Sequence, residues 1–408
     1  MNLRAEIALD AMPTRNISLF EADRLSLAEC LSLTEQSLIA YGERYRHWGL
    51  AYSGGKDSST MLSVVIYLLD CGRVPKPASL TVLYADTRME LPPLEASAMG
   101  ILSELRRRGI KTQIVLPELD DRFFVYIFGR GVPPPKNRFR WCTPQLKIEP
   151  MMKALQGLRD SVGEKLLMLT GVRLGESAAR DARISVSCSR DGAECGQGWF
   201  QESTPEAIAD TLAPIIHWRV CLVWNWLMFH SPSLGFPTRA IAESYGGDEA
   251  QEINARTGCV GCNLASRDVA LDTVLRLPQW AYLAPLKRLK PIYAELKKPQ
   301  YRLRKNGELK KNGHLSSNPM RMGPLTFEAR KFGLEQVLQI QQDINIAAIM
   351  EGRPEVSLIN DEELARITEL IKARTWPDGW DGDEVRGDRL LPQIMCDGAV
   401  QPLLIDSV

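Results

Sequence analysis

The sequence has no long hydrophobic run, little histidine and no excess of either charge. Nowhere does an uncharged apolar stretch approach the ~20 residues that a bilayer-spanning helix needs, and MNLRAEIALDAMPTRN at the start carries acids where an export signal needs an unbroken apolar segment. The expectation is a cytoplasmic protein with no membrane partner. Lys plus Arg and Asp plus Glu both total 50, so no global field draws nucleic acid or an anionic membrane; any such contact needs a local patch. The four histidines, His47, His217, His230 and His314, lack ligand spacing, which argues against a histidine-built metal centre. Nine cysteines in a reducing compartment do not read as a disulfide framework, which leaves buried thiols or a metal site.

A chain of 408 residues accommodates one large core and a smaller unit. Leu19 to about Tyr45 has helical spacing. Trp48–Tyr52 reads as a buried strand, followed by a glycine turn and a helix from Ser59 to Leu69. Further strands are expected at Ser79–Ala85, Lys111–Leu116 and Lys165–Thr170, with helices between them. This alternation predicts an α/β fold with a doubly wound, mostly parallel sheet, ligand loops lying along one edge. A helical N-terminal preface and a helical, basic C-terminal region complete it. The expected divisions are 1–45, 46–220, 221–270 and 271–408. Ser185–Phe200 reads as a loop, Trp218–Phe229 as a buried helix, and Leu334–Met350 and Asp361–Ala373 as late helices.

Ser53-Gly54-Gly55-Lys56-Asp57-Ser58 directly follows the first strand. Glycines there permit positive φ and close backbone approach, successive N–H groups line one concavity, and the next helix adds its positive end. An anion site is expected. The loop lacks the four-residue gap of GxxxxGK[ST], so it is not a Walker-type site. It resembles the SGGxDS signature of the PP-loop ATP pyrophosphatases, a superfamily with an adenine nucleotide alpha hydrolase-like fold. The resemblance implies ATP and Mg²⁺ as cofactors and cleavage between the α- and β-phosphates. Ser53, Gly54, Gly55 and Ser58 would cradle pyrophosphate, while Lys56 and Asp57 would neutralise charge and position metal.

Three more segments narrow the resemblance. Asp86-Thr87-Arg88-Met89-Glu90-Leu91-Pro92 is similar to an element of the PAPS reductase-like branch that faces the nucleotide. Arg138-Phe139-Arg140-Trp141-Cys142-Thr143-Pro144-Gln145-Leu146-Lys147 looks like the RxCTxxxK segment of DndC/SspD-type DNA phosphorothioation proteins; two guanidinium forks and an ammonium beside a thiol suit a phosphodiester and an ionised sulfur nucleophile. Thr170-Gly171-Val172-Arg173-Leu174-Gly175-Glu176-Ser177-Ala178-Ala179-Arg180 follows the fourth strand and makes Arg173 and Arg180 candidate phosphate clamps. Catalytic candidates are thus Lys56, Asp57, Arg173, Arg180 and Cys142, with Asp86, Thr87 and Gly171 joining the nucleotide set.

Cys259-Val260-Gly261-Cys262 converges two thiols. The resemblance implies a 4Fe-4S cluster on Cys142, Cys259 and Cys262, with Cys188 or Cys195 as the fourth ligand and the remaining thiol free to carry a persulfide. A zinc site on Cys188, Cys195, Cys259 and Cys262 is the runner-up. Cys30, Cys71, Cys221 and Cys396 read as ordinary thiols. Between Leu286 and Arg321 eleven Lys/Arg face two Glu, interleaved with Tyr293 and Tyr301. That is either a phosphate-contacting surface or a solvated connector.

The function implied is ATP-dependent sulfur transfer to the DNA backbone, with DNA, a cysteine desulfurase and other phosphorothioation-system proteins as partners. A sulfonucleotide reductase, a tRNA thiolation enzyme and a non-catalytic nucleotide-binding scaffold of a defence complex remain open beside it.

Overall fold

The computed structural model describes residues 25–137, 139–175, 199–201, 207–245, 259–265, 267–305, 322–389, 393–394 and 399–401. The chain divides into two compact units. The first comprises Met1–Asp86, Pro92–Val115 and Pro150–Thr257; the second comprises Thr87–Leu91, Leu116–Glu149 and Gly258–Val408.

The first unit is built on a six-stranded sheet of order β3-β2-β1-β4-β6-β5. Its strands are β1 His47–Tyr52, β2 Ser79–Ala85, β3 Lys111–Val115, β4 Leu166–Leu169, β5 Trp199–Gln201 and β6 Ala209–Ala213. β1 pairs in parallel with β2, Tyr52 opposite Tyr84, and with β4, Leu50 opposite Leu169. β3 and β6 extend the parallel ladder, while β5 closes one edge antiparallel to β6. This is the expected α/β fold with a doubly wound, mostly parallel sheet. β1 and β4 lie at its centre because they are apolar on both faces, as parallel strands covered by helices must be.

The helices α1 Leu27–Gly42, α2 Lys56–Asp70, α3 Pro92–Arg107 and α4 Glu149–Val162 flank it. α1 starts with a capping box in which the Ser26 side chain accepts from Glu29 N–H and the Glu29 side chain accepts from Ser26 N–H. α2 is buried almost all round. Trp226 donates from Nε1 to Ser63 Oγ at 2.9 Å and Trp218 from Nε1 to Thr34 Oγ1 at 3.0 Å, which satisfies the polar atom of each buried ring.

Two expectations are corrected. Trp199 and Phe200 belong to β5, not to a loop; residues 185–198 lie outside the described ones. The expected helix Trp218–Phe229 is a short helix, Val220–Asn225, that widens into a five-residue turn at Trp226–His230, leaving Phe229 exposed.

The second unit is mostly helical, with Phe327–Glu351 and Asp361–Lys372 as its longest regular elements. Arg330 is fully buried there, donating to Phe128 O at 2.8 Å, to Thr375 O at 2.8 Å and to Gly129 O. Burial pushes its guanidinium down to about 10. Among the described residues no helix is long and apolar enough to cross a membrane.

Candidate nucleotide site and thiol site

The order 3-2-1-4-6 puts a switch point between β1 and β4, where successive connections leave in opposite directions and the loops part. The loop after β1 and the segment after β4 meet there. Gly54 has φ +74, the left-handed conformation that glycine takes at no steric cost. Gly55 is the N-cap of α2 and no side chain caps that helix. The Ser53 and Ser58 hydroxyls lie 3.1 Å apart, and Ser58 Oγ also accepts from Ser53 N–H and donates to Gly55 O. Ser59 N–H bonds back to Gly55 O at 3.0 Å. No acceptor among the described residues meets the amides of Gly54, Gly55, Asp57 and Ser58. A helix start with orphan donors and no cap is a ready anion site.

Gly171 explains how the other segment comes so close. A Cβ on it would stand 2.8 Å from both Ser58 N and Ser58 Cα, and 2.9 Å from Asp57 C. Two residues on, the buried Arg173 donates from Nε to Asp57 Oδ1 at 2.6 Å and from Nη1 to the carbonyls of Leu174 and Trp218 at 3.4 Å. Its Nη2 meets no acceptor among the described residues. Backbone bonds from Thr170 to Leu212 and from Leu174 to Ile216 hold the segment in place. Asp57 also pairs with Lys56 Nζ at 2.9 Å. Two cations against one carboxylate beside orphan amides make this end of the sheet attractive to anions.

Tyr245, which the sequence reading missed, completes the loop. Its hydroxyl accepts from Lys56 N–H at 3.4 Å and the Lys56 ammonium lies 5.3 Å from its ring centroid. Trp224 packs edge-on against it at 5.1 Å. No local motif marks a tyrosine 189 residues beyond the loop. Asp86 is buried at the end of β2, its N–H bonded to Val115 O at 3.0 Å. Arg180, Cys188 and Cys195 lie outside the described residues.

The second unit holds Thr87, Cys142, Cys259 and Cys262. Thr87 Oγ1 donates to Glu90 Oε1 at 2.7 Å, and Val260 N–H reaches Met89 O at 2.7 Å, joining the CxxC turn to this segment. Cys262 N–H bonds to Cys259 O at 3.0 Å, and Gly261 takes φ +60 where a Cβ would strike Leu289 Cβ at 2.8 Å.

Cys262 disfavours ionisation of both Cys142 and Cys259, and Cys142 disfavours that of Cys259. Burial pushes Cys259 up to about 11, with Glu90 and the other two sulfurs adding to it and Lys147 opposing it. Burial also raises Cys142. Of the basic neighbours expected beside Cys142, Arg140 bonds to Asn137 and Arg138 lies outside the described residues. Among the described residues no three His, Cys, Asp or Glu side chains form a metal-coordinating group.

The donor chemistry still fits a thiolate-held metal or cluster. The three sulfurs are within electrostatic reach of one another, and a cation is what part-buried thiols need in order to ionise. The fully buried Tyr293, within electrostatic reach of Cys259 and Cys262, has a hydroxyl without a partner among the described residues.

The basic run spends its charge internally. Lys287 pairs with Asp272, Arg288 with Asp343 and Lys298 with Glu295. Lys290, Lys297, Arg302, Arg304 and Lys305 donate to Ala265 O, Asn263 Oδ1, Gly323 O, Arg389 O and Gly379 O. Residues 306–321 lie outside the described ones.

Residues 47–233, a little under half of the chain, match the model of the phosphoadenosine phosphosulfate reductase domain, so this part of the chain is similar to that domain. Similar solved structures include FMN adenylyltransferase from Candida glabrata in complex with FMN and the ATP analog AMPCPP, 14% identical with TM-score 0.32, the match covering 50% of this chain and 57% of that one. Another is phosphoadenylyl-sulfate (PAPS) reductase from Candida auris as a phosphate complex, 12% identical with TM-score 0.32, covering 52% and 89%. A third is the U34-tRNA thiolase NcsA from Methanococcus maripaludis with its [4Fe-4S] cluster, 12% identical with TM-score 0.34, covering 66% and 76%. The chain thus spans little more than half the length of the adenylyltransferase it resembles. No curated protein matches it.

Proposed function

We propose that the chain is an ATP pyrophosphatase that adenylylates a phosphate oxygen of DNA and lets sulfur replace it. The observation that carries this reading is the row of orphan amides at Gly54, Gly55, Asp57 and Ser58, flanked by Lys56 and the Nη2 end of Arg173. These groups suit a diphosphate leaving group, whose charge they stabilise as the bond to the α-phosphorus breaks.

The acceptor oxygen attacks the α-phosphorus of ATP and pyrophosphate departs. A persulfide sulfur, delivered by a cysteine desulfurase, attacks the acceptor phosphorus and AMP leaves with the original oxygen. A thiol then takes the sulfur–sulfur bond, leaving a phosphorothioate and a disulfide that an external dithiol reduces. Cys142, Cys259 and Cys262 would hold a 4Fe-4S cluster, or Cys259 and Cys262 with Cys188 and Cys195 a zinc ion, which when bound supplies a Lewis-acidic centre for sulfur. The resemblance of the Arg138–Lys147 segment to phosphorothioation proteins supports DNA as acceptor.

Purified protein given ATP and Mg²⁺ is expected to release AMP and pyrophosphate; ADP and phosphate would reject the mechanism. In a deletion strain, mass spectrometry should find phosphorothioate dinucleotides lost from DNA. Loss of thionucleosides from tRNA, or of sulfite formation, would instead assign the site to tRNA thiolation or sulfonucleotide reduction.

A further inference from the structure

Tyr293 lies in the basic run, expected to be a phosphate-contacting surface or a solvated connector, yet it is fully buried. Its ring packs edge-on against Phe123 at 5.9 Å. A Cβ on Gly261, between the two CxxC cysteines, would stand 3.4 Å from Tyr293 Cε2, the carbon beside the hydroxyl-bearing one. The hydroxyl has no partner among the described residues, and its oxygen lies within electrostatic reach of the Cys259 and Cys262 sulfurs. A phenol buried without a partner is a net cost to folding, so the expected explanation is an acceptor that arrives later.

We infer that Tyr293 is a positioning residue for the thiol site, its O–H donating to a sulfur of the metal- or cluster-bound form of Cys142, Cys259 and Cys262. This rests on the proposed sulfur chemistry of that site. A thiolate or bridging sulfide carries the negative charge that makes sulfur a strong acceptor, whereas a neutral thiol is a weak one. Such a sulfur would satisfy the hydroxyl, and outer partners of this kind orient ligands and hold the metal. No other acceptor among the described residues meets this oxygen.

The test is Tyr293→Phe, which removes one oxygen and keeps the ring, compared with wild type in metal-free and iron–sulfur- or zinc-reconstituted protein. The metal-free variant is expected to melt higher than wild type and the reconstituted variant lower. Release of iron or zinc to a chelator should be about 10–100-fold faster. Tyr282→Phe is the calibrating variant: its hydroxyl donates to Pro354 O at 2.9 Å whether or not metal is present, so it should lower both melting temperatures alike.

A Tyr293→Phe shift of the same sign in both forms, or unchanged metal release, overturns the inference while leaving the proposed function intact. Wild-type protein that releases pyrophosphate yet retains neither iron nor zinc would remove the sulfur-site part of that function, and this inference with it.

Discussion

Gly171→Ala tests the nucleotide site at its tightest point. The added methyl would lie 2.8 Å from Ser58 N and Cα, about 0.6 Å short of ordinary van der Waals contact, and the atoms it meets are backbone at the first turn of α2. Backbone cannot rotate aside as a flexible side chain does, so either the segment after β4 or the loop itself must move. Overpacking of this kind costs about 1–3 kcal/mol, and for a unit of this size each kcal/mol lowers Tm by about 2–4 °C. Displacing the loop by a fraction of an ångström also misaims its donors. A misplacement of about 1 Å costs on the order of 100-fold in rate, so kcat/KM for pyrophosphate release should fall at least ~10-fold. Gly157→Ala is the control: it lies in α4 with nothing within 4 Å of the added methyl, and should gain about 1 kcal/mol from helix propensity with activity unchanged. Calorimetric melting and a coupled pyrophosphate assay read both effects. A Gly171→Ala protein that melts lower but releases pyrophosphate at the wild-type rate would refute the cradle; one unchanged in both would refute the close approach as well.

Two further outcomes are expected. Tyr245→Phe removes the hydroxyl that occupies the Lys56 amide in the ligand-free loop, so a phosphate oxygen no longer competes with it; ATP should bind a few-fold tighter by titration calorimetry, the worth of one weak hydrogen bond. His217 bonds through Nε2 to Cys30 O at 3.1 Å, and burial lowers the pKa of its ring. The folded protein therefore resists taking up a proton that the unfolded chain accepts. Stability is full above the unfolded value of about 6.5 and falls as pH drops below it, by at most ~1.4 kcal/mol per pH unit. His217→Gln should flatten that part of the Tm-against-pH curve; an unaltered slope would assign it elsewhere.

The sheet was legible where strands carry runs of apolar and β-branched residues. β2 falls on the expected residues, and β1, β3 and β4 differ only by a residue at one or both ends. β6 escaped notice because its ADTLA run is broken by Asp210, which is held inside by partners distant in sequence, among them Lys165 Nζ at 2.8 Å and the Tyr45 hydroxyl. The helix expected from Leu334 begins at Phe327, because Arg330 and Lys331 look like a polar break although Arg330 is held inside by three carbonyls. The loop could be read from its own six residues, since its geometry is local. Tyr245 and Tyr293 could not, because each owes its place to a partner far along the chain. Composition likewise revealed the density of cations between 287 and 305 but not the carboxylates and carbonyls that engage each of them.

A diphosphate grip made mainly of peptide groups responds to shape and negative charge, and carries nothing that distinguishes one heterocycle from another. Under the proposed function, discrimination among purines and between acceptors is written in other parts of the chain. The hexapeptide is thus an engine mount rather than a keyhole, and retargeting the protein would mean rewriting distant segments while leaving these six residues alone.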